Sequence, residues 1–198
     1  MKRLALALLS LALLSGCAAP VQSFTFAVAG DSLTAWDNQT FPHPDGDFGT
    51  VTWTHWAIGP DIQLAGGFAR EDLTAAQIAE NMVSADADVL VVLAGTNDVG
   101  VTAVEDVLDG IERIVATSSL STVLISALPP VDGSAEYNTA LEELAGDRGW
   151  GFVDPWRELR RDDGEWLDGS SNDGVHPTPD SAKVVGAAIV AAMRELLN

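Results

Sequence analysis

Val89-Leu90-Val91-Val92-Leu93-Ala94 runs straight into Gly95-Thr96-Asn97-Asp98. Six consecutive apolar residues give a strand with no polar face, which has to be covered on both sides, as a central parallel strand is. Working outward, apolar runs and helical patterns alternate. Upstream lie the strand Phe24 to Ala29, a weaker strand Asp61 to Ala65, and a helix Thr74 to Val83 with Thr74 as its cap. Downstream, Val104, Val107, Leu108, Ile111, Ile114 and Val115 recur at helical spacing between Ala103 and Ala116. A strand Thr122 to Leu128 is closed by Pro129-Pro130. A helix Ser134 to Asp147, a strand Gly151 to Asp154 and a helix Thr178 to Leu197 complete the chain. Alternation of this kind predicts an α/β fold with a five-stranded parallel sheet between layers of helices. Residues 35–60 and 160–172 do not fit the alternation, and long irregular segments in compact domains are often functional.

The first strand breaks into Gly30-Asp31-Ser32-Leu33-Thr34. That puts Ser32 at a carboxyl strand end, the edge where open α/β sheets bind ligands. Asn97 follows the central strand and reaches the same edge. Asp173-Gly174-Val175-His176-Pro177 sets a carboxylate three residues before a histidine. In a tight turn this spacing lets Asp173 hold one imidazole nitrogen and leaves the other free as a base. Each piece also has a plain reading: Gly-Asp-Ser and Gly-Thr-Asn-Asp as turn chemistry, Asp-x-x-His as a fragment of a metal site. His43-Pro44-Asp45-Gly46-Asp47 reads as a solvated turn sooner than a metal loop.

The 198-residue chain is long enough for one domain with a sizeable core. Lys2 and Arg3 precede an apolar run from Leu4 to Leu14, too short to span a bilayer and suited to a secretory signal. Leu14-Ser15-Gly16-Cys17 follows, with the only cysteine of the chain, and resembles the lipobox of bacterial lipoproteins. The expected organisation is a signal peptide over 1–16, a lipidated tether over 17–23 anchored through Cys17, and a domain over 24–198. The protein is expected outside the cytoplasm, held to a membrane by acyl chains. Without residues 1–16, eight Lys and Arg face 29 Asp and Glu, a net charge of −21. Such a surface repels nucleic acid. It favours uncharged substrates, and solubility accounts for much of it.

Together, Gly-Asp-Ser-Leu near the amino end, Gly-Thr-Asn-Asp in mid-chain and Asp-x-x-His before the last helix resemble the GDSL, or SGNH, hydrolase family. The order and spacing of these motifs cover nearly all of residues 24–198. The resemblance implies a three-layer α/β/α sandwich of flavodoxin-like type and a serine esterase needing no metal or organic cofactor. It implies Ser32 as nucleophile, His176 as general base and Asp173 as its orienter. Asn97 and the Ser32 N–H would be oxyanion donors. The family's further donor, a glycine N–H, is poorly matched by Ala65-Gly66-Gly67-Phe68-Ala69-Arg70-Glu71-Asp72. Gly67 is assigned, with Gly66 and the Asp72 amide as alternatives, and close packing of strand and loop as the non-catalytic reading.

The expected substrate is a short-chain or acetyl ester, of a small molecule or a carbohydrate. Alternatives are a lysophospholipid or long-chain ester, acyl transfer to a sugar hydroxyl, or glycan binding without cleavage. Trp36, Trp53 and Trp56 either wall that site or pack their segment onto the sheet.

Overall fold

The computed structural model describes residues 22–36 and 49–198. The proposed signal sequence, Cys17 and the His43 turn lie outside the described residues. Five parallel strands form one sheet: β1 (Phe24–Gly30), β2 (Ile62–Ala69), β3 (Val89–Leu93), β4 (Val123–Ser126) and β5 (Gly151–Val153). Their order across the sheet is β2-β1-β3-β4-β5. The helices are α1 (Trp53–Ala57), α2 (Ala75–Asn81), α3 (Val104–Ser118), α4 (Ser134–Arg148) and α5 (Pro179–Leu196). The flavodoxin-like sandwich expected from the sequence is the fold observed.

Every residue of β3 is buried. Its neighbour β1 divides its side chains between two cores. Phe26 and Val28 pack with Trp53, Val185, Ile189 and Met193 of α1 and α5. Ala27 and Ala29 pack with Ile78, Val107, Ile111 and Leu141 of α2, α3 and α4. Burying one such aliphatic side chain is worth about 1.5–3 kcal/mol. The helix ends follow local chemistry. Thr74 and Gln77 form a capping box at α2, and Thr178 followed by Pro179 opens α5. At its far end, α5 returns to the amino edge of the sheet, where Arg194 Nη1 donates to Gln22 O at 3.2 Å.

Two segments differ from the expectation. Trp53–Ala57 is a helix too short to show a period in the sequence. Strand β2 runs to Ala69 rather than ending at Ala65. Its pairing with β1 slips between Phe26 and Ala27, so that Phe26 faces Leu64 but Ala27 faces Gly66. This β-bulge is built by Gly66 and Gly67, at φ 151° and 109°. A Cβ on Gly67 would lie 1.9 Å from Val28 O, so no other residue fits there without moving the backbone.

Strand order reverses between β1 and β3, and the connections leaving those two strands diverge. The crevice between them is the switch point where folds of this order bind ligands.

Candidate active site

Ser32 sits one turn beyond β1, 8% exposed. Gly30 makes that turn possible: a Cβ there would meet Thr34 Oγ1 at 2.2 Å and Leu93 O at 2.8 Å. Asp31 O accepts from both Thr34 N and Ala35 N at 3.0 Å, closing the turn. Helix α1 then pins it. Trp53 Nε1 donates to Thr34 Oγ1 (3.0 Å), and Thr54 Oγ1 donates to Thr34 O (2.6 Å). Trp53, 1% exposed, is therefore a core residue that holds the serine turn.

Ser32 Oγ lies 2.8 Å from His176 Nε2, across 144 residues of sequence. His176 Nδ1 lies 2.7 Å from Asp173 Oδ2. The other Asp173 oxygen accepts from His176 N (2.7 Å) and Val175 N (2.9 Å). Burial on its own would raise the Asp173 pKa. The bonds from His176 and Val175 outweigh it and bring the carboxyl down to about 2. The turn is held from outside as well: Ser171 Oγ and Asn172 N both donate to His176 O at 2.8 Å. Trp166 Nε1 donates to Gly174 O at 2.9 Å. Trp36 stands edge-on to the imidazole, with ring centroids 4.7 Å apart.

Asn97 lies in a single 3₁₀ turn, Thr96–Asp98, after β3. One N–H of its amide donates to Leu73 O at 3.0 Å, leaving the second for another acceptor. Asp98 is 1% exposed and accepts from Ala75 N at 2.8 Å. It ties the asparagine turn to the start of α2 and does not cap a helix of its own. Burial raises its pKa, against the bonds from Ala75 and Thr102.

Gly67 is not at the strand end where the sequence reading set it. It pairs with Val28 inside the sheet, while Gly30 pairs with Ala69. The bulge, not a substrate, explains the two glycines. The loop leaving β2 contains Asp72, whose φ of 63° is the left-handed backbone usually given to glycine. Trp56 also has a packing role, with Nε1 donating to Thr50 O at 2.8 Å.

Asp31, inside the Gly30–Thr34 stretch, does more than shape a turn. It is fully buried, with Oδ1 accepting from Leu33 N at 3.0 Å. Its Oδ2 and the Thr96 hydroxyl are both buried without a partner at hydrogen-bonding geometry. Burial pushes the Asp31 pKa up to about 6, against the Leu33 N–H, the nearby Thr96 hydroxyl and the His176 charge. The serine turn and the asparagine turn thus meet at one buried carboxyl.

In chemical terms, a hydroxyl faces a base, the base is held by a carboxylate, and an amide donor stands nearby. That set can activate an oxygen nucleophile and stabilise an oxyanion.

The model of the GDSL-like lipase/acylhydrolase family matches residues 28–184. No curated protein matches the sequence. Among solved structures, one similar fold is a variant of an acetyl-xylooligosaccharide esterase from Geobacillus, with a TM-score of 0.66 and 13% identity. The similarity covers 87% of this chain and 94% of that one. A lipolytic G-D-S-L family protein from Veillonella parvula is similar at TM-score 0.63 and 14% identity, covering 84% and 96%. A GDSL-like lipase from Bacteroides thetaiotaomicron is similar at TM-score 0.62 and 16% identity, covering 86% and 88%.

Proposed function

The chain belongs to the GDSL-like lipase/acylhydrolase family, and we propose that it hydrolyses short-chain or acetyl esters through a covalent acyl-enzyme on Ser32. The observation that carries this reading is the relay from Ser32 Oγ through His176 to Asp173, with contacts of 2.8 and 2.7 Å. In the first step Ser32 Oγ bonds to the ester carbonyl carbon and its proton passes to His176 Nε2. Asn97 Nδ2 and the Ser32 N–H donate to the oxygen that gains charge. The carbon–alkoxy bond then breaks, and His176 returns the proton to the leaving alcohol. Water adds in the second step, giving its proton to His176, and the acid leaves as Ser32 recovers its own.

A small acyl group is supported by the neighbours of the relay: Trp36 borders His176, and Leu73 O takes one N–H of the Asn97 amide. The activity printed for the acetyl-xylooligosaccharide esterase, a fold relative, is compatible with an acylated carbohydrate as substrate. On the same reading, residues 1–16 direct export and Cys17 carries the lipid anchor.

Hydrolysis of p-nitrophenyl esters from two to sixteen carbons tests the reaction. The protein is expected to cleave the shortest esters fastest, and Ser32→Ala to lose the activity. A preference for the longest chains would replace this reading with lipid ester hydrolysis. No turnover of any ester would sink it.

A further inference from the structure

Beside the histidine turn, a groove of about 1160 Å³ opens along the carboxyl ends of β4 and β5. Its walls include Gly174 and Val175, the two residues between Asp173 and His176, so it adjoins the histidine turn, while Ser32 and His176 themselves lie outside its lining. It lies on the β5 side of Ser32, whereas Leu73, which touches Asn97, follows β2 on the other side. This sidedness has a chemical meaning. The histidine must protonate the leaving oxygen, so the alcohol part of an ester projects past the histidine, away from the oxyanion donor.

The groove sets charged groups beside apolar ones such as Val131 and Phe152. Asp132, Glu142, Asp163 and Glu165 line it. Asp163 and Glu165 are paired to Arg161, and Asp132 and Glu142 oppose an anionic alcohol. Arg160 is paired to Asp154, but Arg157 lines the groove exposed, with no ion pair to a described residue. Its guanidinium stands as a donor among acceptor carboxylates. That mixture suits a neutral alcohol rich in hydroxyls, which donate to carboxylates and accept from Arg157. Trp166 adds a part-exposed indole, steadied by its bond to Gly174 O and by Trp156 at 5.6 Å. An indole can pack against the apolar face of a sugar ring. The volume exceeds the upper end of ordinary small-ligand pockets, about 1,000 Å³, and admits more than one ring.

We infer that this groove is the alcohol subsite and holds a neutral oligosaccharide, with Trp166 as its platform and Arg157 as a hydroxyl donor. The inference rests on the ester-hydrolase reading above, and names the part of the substrate that reading leaves open.

Three acetyl esters separate the two, because the acyl part is constant: p-nitrophenyl acetate, acetylcholine and a partly acetylated cello-oligosaccharide. The intact protein is expected to favour the oligosaccharide over acetylcholine at least tenfold in kcat/KM. Arg157→Ala and Trp166→Ala are expected to lower the ratio of oligosaccharide to p-nitrophenyl acetate activity at least tenfold, chiefly through KM. Arg148→Ala, on α4 and paired to Glu112, leaves the ratio unchanged. Arg157 is exposed, so its variant carries the test if the Trp166 variant does not fold. Preference for acetylcholine, or an unchanged ratio in Arg157→Ala, overturns the subsite. If p-nitrophenyl acetate is not hydrolysed at all, the hydrolase reading fails by itself. Calorimetry with the unacetylated oligosaccharide then decides the groove: binding weakened by Arg157→Ala supports it, and no binding overturns it.

Discussion

Asp31 adjoins the serine and is fully buried, and its carboxyl is pushed up to about 6. A raised acid pKa means that the folded state prefers the protonated form. Stability from this group is complete below pH 4 and is lost as pH rises through 6. Holding the carboxyl near 6 costs the charged form roughly 3 kcal/mol. Asp31→Asn keeps an acceptor for the Leu33 N–H and gives the partnerless Thr96 hydroxyl an N–H to bond. Urea unfolding is expected to find this variant about 2–3 kcal/mol more stable than wild type at pH 8. The difference should close near pH 4; equal gaps at both pH values would show that burial of the charge is not the cause. Asp173 has the opposite sign. Its depressed carboxyl contributes stability above pH 4, lost only as pH falls towards 2. Asn97, besides its bond to Leu73 O, is the proposed oxyanion donor. Asn97→Ala is expected to cost about 10²–10³ in kcat with little change in KM, measured on p-nitrophenyl acetate. A loss confined to KM would remove it from the oxyanion site.

Among the elements, β2 shows where sequence reading stops. Ser32, Asn97, Asp173 and His176 were legible because each follows a strand or precedes a helix that its own neighbours specify. The bulge at Gly66 and Gly67 arises from pairing with β1, some forty residues away in sequence. Nothing local distinguishes such glycines from a catalytic turn. Helix α1 escaped for a related reason: five residues carry too little periodicity to register. Its job, pinning Thr34, is visible only in three dimensions. Gly67→Ala separates the two meanings of that glycine. A Cβ 1.9 Å from Val28 O is expected to destabilise the fold by several kcal/mol, read as a lower Tm. A normal Tm with lost kcat would instead restore Gly67 to catalysis.

At the level of the molecule, the triad joins residues 32 and 176, from the first strand and from the turn that opens the last helix. The fold class was readable from alternation and burial pattern, since both are one-dimensional signals. The groove was not, because Arg157, Trp166 and Glu142 converge only once β4, β5 and α4 are packed. The proposed anchor is tested on the full chain in a bacterial host. Cys17→Ser is expected to move the protein from the membrane fraction to the soluble one, by fractionation and immunoblot. Equal partition of both forms would remove the lipidation proposal.

The contact between Gln22 and Arg194 marks the edge at which the chain enters the sheet. Seven residues of β1 separate that edge from the serine turn, about 20 Å at the usual rise of a strand. The turn that carries Ser32 therefore stands at the opposite edge of the sheet from Gln22. On the proposed lipid anchor, this would set the serine turn at the far edge of the sheet from the residue where the anchored segment joins it.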